Sequence, residues 1–374
     1  MEKVITVIGG GNGASAAAAD LSVRGFKVAW YELPQFEANV AEVMKLKGIN
    51  LEALPSSGLT SRFVSIYKIT TNIEEALAES ELVLVILPSF AQETVARLCA
   101  PYLRDDHIVV LTPGNFGGSI RFSQVIKQAG CKTKVTVAEA ECMMYACRKV
   151  NPTTVWLRGL KRSLGLAAFP ATDTDRVLAK VKEVYEHTVK NPDVLVSGLS
   201  NPNFIVHLPV VLGNISNIEN GVDAMFYYTG MTPAIGRIID AIEGERLSLR
   251  KVGIELRPTL EMFKDYYGYQ GASGNSIWEL CRKNPVYDGS KLPKTLNQRY
   301  LLEDIPYGLI PMLKLLEQFG LPNYHIKLVV DTLCMASGFD LYSKARDAKE
   351  LGLDRLSAEE FLTLVRTGAR SAQA

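Results

Sequence analysis

Histidine is the side chain whose ordinary pKa lies nearest neutral pH, so the four histidines, 107, 187, 207 and 325, are the first candidates for moving protons. His107 opens a β-branched run and His187 lies near a polar helix end; both read as solvated. His325 follows "LPNY" at a helix start. His207 differs, because it sits in "SNPNFIVHLPVVLGN", an otherwise apolar helix that Asn201 can cap with Pro202 in the first position. Asn203, four residues earlier, shares its helical face. Such a stripe suits the wall of an active site, and it equally suits a core histidine satisfied by its neighbours. A second polar cluster, "KTLNQRYLLEDIPYGLIP" at 294–311, places Arg299, Glu303 and Asp304 within a turn and a half beside Tyr300 and Tyr307. A bidentate Arg can clamp a substrate carboxylate, and an Asp can orient an imidazole. The same residues also read as an ion pair on a solvated helix end.

A third group is built from missing side chains. The chain opens "VITVIGGGNGASAAAADLSVRGFKVAWYE". A strand at Val4–Ile8 runs into Gly9-x-Gly11-x-x-Ala14 and then into a helix of small residues, which is the dinucleotide fingerprint in its proper context. Gly9 permits the tight turn, Gly11 lets backbone approach a pyrophosphate, and Ala14 lets the helix pack closely on the sheet. The phosphates then meet free N–H groups, including those of Asn12 and Gly13, at the positive end of the helix. The second strand, "FKVAWYE", ends on Glu32, where an acid meets the adenosine ribose and favours NAD; residues 33–44 hold no Arg or Lys for a 2′-phosphate. Tyr31 is the alternative if the register shifts by one. Two later strand ends carry "PSF" at Pro88 and "TPGN" at Asn115, both candidate cofactor contacts.

The elements that must hold these groups follow from hydrophobic period. Apolar runs at 4–8, 26–31, 82–87, 107–111 and 134–138 alternate with helical stretches at 14–25, 35–47, 73–80, 90–103 and 118–129, the pattern of a doubly wound, mostly parallel α/β Rossmann sheet. "ITTNIEEALAES" starts its own helix at Thr71 or Asn72. Residues 153–159 and 164–170 read as strands extending that sheet, and 171–189 as an N-capped helix. Helical periods then dominate at 202–219, 235–252, 257–267, 308–319, 324–336 and 357–368. We expect an N-terminal domain over 1–194 and a helical domain over 195–374, ending in a frayed "RTGARSAQA".

Bulk composition narrows the function classes. At 374 residues the chain has 47% hydrophobic and 22% charged residues, values for a globular protein with a sizeable core. Lys+Arg (41) against Asp+Glu (40) leaves no basic excess for nucleic acid and no polybasic membrane patch. The strand follows Met1 so closely that no signal peptide is expected, and apolar runs such as "LVLVILP" fall short of the roughly 20 residues of a membrane span. The six cysteines (99, 131, 142, 147, 281, 334) form no CxxC and no metal set with the histidines, reading as buried thiols in a reducing, cytoplasmic setting.

Taken together, "GGGNGA" at 9–14, "NxNxxxHxP" at 201–209 and "NxRYLxEDIPxGLIP" at 297–311 resemble the octopine/nopaline (opine) dehydrogenase family, as do "ACRK" at 146–149 and "YxGMTPAIG" at 228–236. The resemblance implies a Rossmann domain followed by an all-α domain of the 6-phosphogluconate-dehydrogenase-like type, with the site in the cleft between them. It implies reductive condensation of the α-amino group of an L-amino acid with a 2-oxo acid such as pyruvate, using NADH, with NADP as the alternative. By the same resemblance His207 is the acid/base, Asp304 its partner and Arg299 the carboxylate clamp, with Asn203 beside them. In "EAECMMYACR", Cys142 and Tyr145 are candidate substrate contacts, Cys142 reading also as a buried structural thiol. Aromatic and small residues at 225–232 and 266–278 can wall the amino-acid pocket or simply form core. A homodimer is expected. Two other readings are a simple 2-oxo acid reductase of the ketopantoate type, which the absence of Lys from the His207 helix disfavours, and a non-catalytic NAD sensor.

Overall fold

The computed structural model describes residues 3–369. Twelve strands occur among them: β1 Val4–Ile8, β2 Lys27–Tyr31, β3 Gly48–Ala53, β4 Arg62–Ser65, β5 Lys68–Thr70, β6 Leu82–Val85, β7 Ile108–Leu111, β8 Thr136–Ala140, β9 Tyr145–Asn151, β10 Thr154–Leu160, β11 Gly165–Phe169 and β12 Val189–Lys190. The helices of the same part are α1 Asn12–Val23, α2 Ala41–Leu46, α3 Ile73–Leu77, α4 Gln92–Cys99, α5 Gly118–Gln128 and α6 Thr174–Lys182. By contacts the chain divides into two compact units. One comprises the chain to Gly114 with Gly118–Val194, and the other Leu195 onward with the short segment Asn115–Gly117.

The first unit carries an eight-stranded sheet in the order β12-β11-β8-β7-β6-β1-β2-β5, parallel throughout except where β11 meets β8. Strands buried on both faces must be apolar along their whole length, and "LVLV" of β6 and "IVVL" of β7 are fully buried. The direction of strand order reverses between β1 and β6, so the C-terminal ends of these strands form the crevice where doubly wound sheets bind ligands. The alanines 16–19 of α1 are wholly buried, and the lack of bulk lets that helix lie close against β1 and β2. Asn72 caps α3 through Glu74 and Glu75 N–H groups, as its sequence signal requires.

Three expectations need correction here. Strand 154–160 does not extend the main sheet. It joins a second sheet of order β4-β3-β10-β9, packed on the other side of α1, because the stretch 48–65 contributes two unforeseen strands, β3, which pairs with it, and β4, which pairs with β3. The stretch 171–189 breaks into a 3-10 turn, α6 without a side-chain cap, and β12. His107 is buried, not solvated: it accepts the Arg104 N–H at Nδ1 (3.0 Å), and burial pulls its pKa down, with the Arg104 charge adding to the effect.

The second unit is helical: α7 Val194–Leu199, α8 Pro202–Gly213, α9 Ile215–Glu219, α10 Pro233–Ser248, α11 Thr259–Tyr267, α12 Ile277–Lys283, α13 Arg299–Leu302, a π-turn at Ile305–Leu309, α14 Ile310–Gln318, α15 Tyr324–Ser337 and α16 Ala358–Thr367. Asn201 caps α8 by accepting the Asn203 N–H, with Pro202 at the first position. Helix α8 is apolar nearly all round because α10, α13, α15 and the π-turn surround it. The run Val194–Gly213 has the length and composition of a membrane span, contrary to expectation, yet 94% of its window is buried inside the fold. Residues 370–374 of the expected frayed tail lie outside the described residues. All six cysteines are unbridged, and three of them (131, 147 and 334) are half-exposed instead of buried.

Candidate active site

The fingerprint turn behaves as its residue types require. Gly9 has φ +126° and donates to Tyr31 O at 2.8 Å; a Cβ there would lie 2.5 Å from Ile86 O, so only glycine fits. A Cβ on Gly13 would meet the flexible end of Met143 and the Ile86 side chain. Gly11 is not: a Cβ on it would meet no protein atom within 4 Å. Packing therefore does not explain its missing side chain, whereas close approach of a bound pyrophosphate does. Gly11 and Asn12 are exposed at the start of α1, which has neither a side-chain cap nor an acidic residue in its first turn. Its N–H groups are thus presented to an anion, and the site fits a dinucleotide.

Glu32 is buried, and its carboxylate accepts from Leu33 N and Asn39 Nδ2, each at 2.9 Å, so it is no solvated strand end. Its Oε2 packs against Gly10, beside the phosphate turn. Lys149 was not foreseen near it. The Lys149 N–H donates to Asn12 Oδ1 (2.8 Å) and its ammonium donates to Asn39 O. Burial pulls the pKa of that ammonium down, with Glu32 opposing. The second sheet brings it there, and that sheet was not legible in the sequence. Pro88 starts a short 3-10 turn after β6. Ala14 is fully buried in α1.

In the helical unit, His207 and Asp304, 97 residues apart, form a buried pair: Nδ1 lies 2.8 Å from Oδ2, and the two side chains are 6% and 5% exposed. A carboxylate at Nδ1 holds the proton there and leaves Nε2 as the working nitrogen. Nε2 faces the Tyr227 hydroxyl at 2.9 Å. Aromatic rings enclose the imidazole, Tyr300 tilted over it at 4.3 Å and Phe226 edge-on at 5.6 Å. Arg299, on the same short helix as Tyr300, is half-exposed and reaches the buried Glu303 at 3.6 Å. Asn203 is half-buried one turn before His207.

Two candidates fall elsewhere. Asn115 is fully buried in the helical unit, accepting from Asn201 Nδ2 (2.8 Å) and donating to Glu303 Oε1 (3.4 Å). Its side chain braces the α8 cap. Tyr145 places its hydroxyl on Asp20 (2.9 Å) and Tyr185 (2.8 Å) in the core of the first unit. Cys142 is buried at the end of β8.

A nucleotide cradle on a doubly wound sheet, joined in one chain to a helical unit with a buried His–Asp pair, defines a two-part dehydrogenase. Residues 190–337 match the family model described as NAD/NADP octopine/nopaline dehydrogenase, alpha-helical domain, and residues 4–140 match the N-terminus of NAD-dependent glycerol-3-phosphate dehydrogenase. The chain is 28% identical over 358 residues to an opine dehydrogenase of Arthrobacter sp. (strain 1C), covering 95% of this chain and 97% of that one. It is 24% identical to the protein ocs of Agrobacterium tumefaciens (strain Ach5), covering 95% and 96%. Its fold is that of octopine dehydrogenase solved with NADH and agmatine (TM-score 0.78, 19% identity, all of both chains) and of yersinopine dehydrogenase (TM-score 0.69, 15% identity, 98% and 97%). The chain is an NAD(P)-dependent oxidoreductase acting on CH–NH groups. Its residues 190–337 match the octopine/nopaline dehydrogenase alpha-helical domain, and the chain is similar over nearly its whole length to an opine dehydrogenase.

Proposed function

We propose that this opine dehydrogenase joins the α-amino group of an L-amino acid to pyruvate or a similar 2-oxo acid, with NADH preferred over NADPH. The observation that carries the reading is the buried His207–Asp304 pair with its outward nitrogen free of Asp304. Bound NADH supplies the hydride. An amino acid arrives as its ammonium, which cannot attack a carbonyl, and His207 takes the surplus proton. Asp304 holds the imidazolium that results. His207 then returns the proton to the hydroxyl that leaves as water, which leaves an imine carbon that the hydride of bound NADH would reduce. Arg299 holds the oxo acid's carboxylate, exchanging its long contact with Glu303 for a bidentate one. Glu32, with two neutral donors already on it, accepts the ribose hydroxyl.

The aromatic wall of Phe226, Tyr227 and Tyr300 supports an amino acid with an apolar side chain. A solved octopine dehydrogenase holds L-arginine, and another pyruvate; both belong in the substrate panel. The test is NADH and NADPH oxidation with pyruvate against a panel of amino acids. Amino-acid-dependent turnover, strongest with apolar side chains and NADH, is expected; turnover with the oxo acid alone would favour the simple reductase. We also read the chain as a cytoplasmic homodimer. The exposed Tyr324, Leu328 and Met335 of α15 support an interface, and light scattering in solution tests the mass.

A further inference from the structure

Condensation asks more of His207 than one contact. Its Nδ1 is committed to Asp304, Tyr300 covers one ring face, and the side chain is only 6% exposed. The working Nε2 does not look onto open space: the Tyr227 hydroxyl meets it at 2.9 Å. Tyr227 is the less buried of the two, so a ligand approaching Nε2 along this line reaches the phenol first. The phenol is also held in place. Its ring stacks flat on Tyr287 (centroids 3.9 Å apart, 16° between planes) and meets Phe226 edge-on at 4.9 Å. A hydroxyl fixed between a base and the approach to it is a relay by geometry.

We propose that Tyr227 is a further catalytic residue, carrying the proton between the substrate amine and His207 Nε2; this rests on the condensation reading above. With Nδ1–H donated to Asp304, Nε2 accepts the Tyr227 O–H. As the substrate ammonium gives a proton to the phenol oxygen, the phenol gives its own to Nε2. One N–H bond of the ammonium breaks and one forms at the imidazole, while Tyr227 ends as it began. The amine emerges neutral and the imidazolium rests on Asp304. In the dehydration step the same path runs backwards, delivering the proton to the departing hydroxyl, so that water leaves and no net proton stays on the enzyme. The titratable groups around this pair are Asp304 on the imidazole, Tyr300 above it and Tyr287 beneath Tyr227, with Arg299 and Glu303 flanking Tyr300 on α13.

The experiment is Tyr227→Phe, which keeps the stacked ring and deletes the hydroxyl. NADH affinity by fluorescence titration and the thermal midpoint should match the wild type. The kcat/KM for the amino acid should fall about 100-fold near neutral pH, within the usual worth of general acid–base groups. That deficit should narrow as pH rises, because more substrate then arrives as free amine and needs only the dehydration half of the relay. A variant as active as the wild type, or one with the same deficit at every pH, overturns the relay; the second result leaves Tyr227 a positioning residue. If the wild type itself shows no amino-acid-dependent NADH oxidation, the condensation reading falls and the relay with it. If the wild type condenses and Tyr227→Phe does so with an unchanged pH curve, the relay alone falls.

Discussion

His207 is the one histidine in this chain that combines burial, a carboxylate partner and an aromatic enclosure. His325 has a carboxylate too, but it uses Glu245 to tie the start of α15 and is half-exposed. Replacing His207 by Ala should leave NADH affinity intact and lower kcat by about 10²–10⁴, measured by paired fluorescence titration and turnover. Asp304→Asn should approach the same loss, since the amide cannot hold an imidazolium. Arg299→Lys replaces a planar fork by a point charge. Its effect should fall mainly on the KM of the 2-oxo acid, by roughly tenfold or more, with the KM of NADH unmoved. At this scale the sequence was legible where a residue type is rare in its setting, as with one His in an apolar helix or the glycines of a strand-to-helix turn. It was not legible where a common residue acquires a partner through tertiary structure. Nothing in "TPGN" tells that Asn115 will turn into the helical unit and bond Asn201 and Glu303, nor in "MMYACR" that Tyr145 will point at Asp20.

The His–Asp pair exists because α8 and the π-turn at Ile305–Leu309 pack at close range. Gly308 is what permits this: a Cβ on it would lie 2.4 Å from the ring of Phe204, one turn before His207 on α8. Gly308→Ala must push the two elements apart or turn the ring, at a cost of about 1–3 kcal/mol for overpacking. We expect a thermal midpoint several degrees lower and a larger relative loss in kcat than in NADH affinity. The longer helices of this unit were readable from their period and caps, as with Asn201-Pro202 and the stretch at 310–318, whereas α7 and α12 were not foreseen. The π-turn was not, because Asp304-Ile305-Pro306 carries no local signal for a widened turn. The second sheet was missed for a similar reason. Its strands β3 and β4 mix polar and apolar residues, so their pairing is decided by their partners, β10 for β3 and β3 for β4, rather than by their own pattern.

Across the molecule, two signals act at different ranges. The alternating first half fixes a parallel sheet whose strand order places the fingerprint at its reversal, and that much follows from spacing alone. The segment Asn115–Gly117 departs from any division by sequence, since it belongs by contacts to the helical unit. Stability should also carry a pH signature from His107. Burial holds its folded pKa below the ordinary value of 6.5, so the unfolded chain binds the proton more readily. His107 therefore imposes no cost above about pH 6.5 and destabilises progressively as pH falls below it. The thermal midpoint should drop more steeply between pH 7 and 5 in the wild type than in His107→Asn, whose amide oxygen can still accept the Arg104 N–H.

The central claim is that hydride transfer here completes a carbon–nitrogen bond. Its most direct measurement is the product formed from pyruvate, a ¹⁵N-labelled amino acid and NADH deuterated at the transferred position. One secondary amine is expected, carrying ¹⁵N between two carboxylate-bearing carbons, with deuterium on the former oxo carbon. Deuterated 2-hydroxy acid, with the labelled amino acid recovered unchanged, would contradict it.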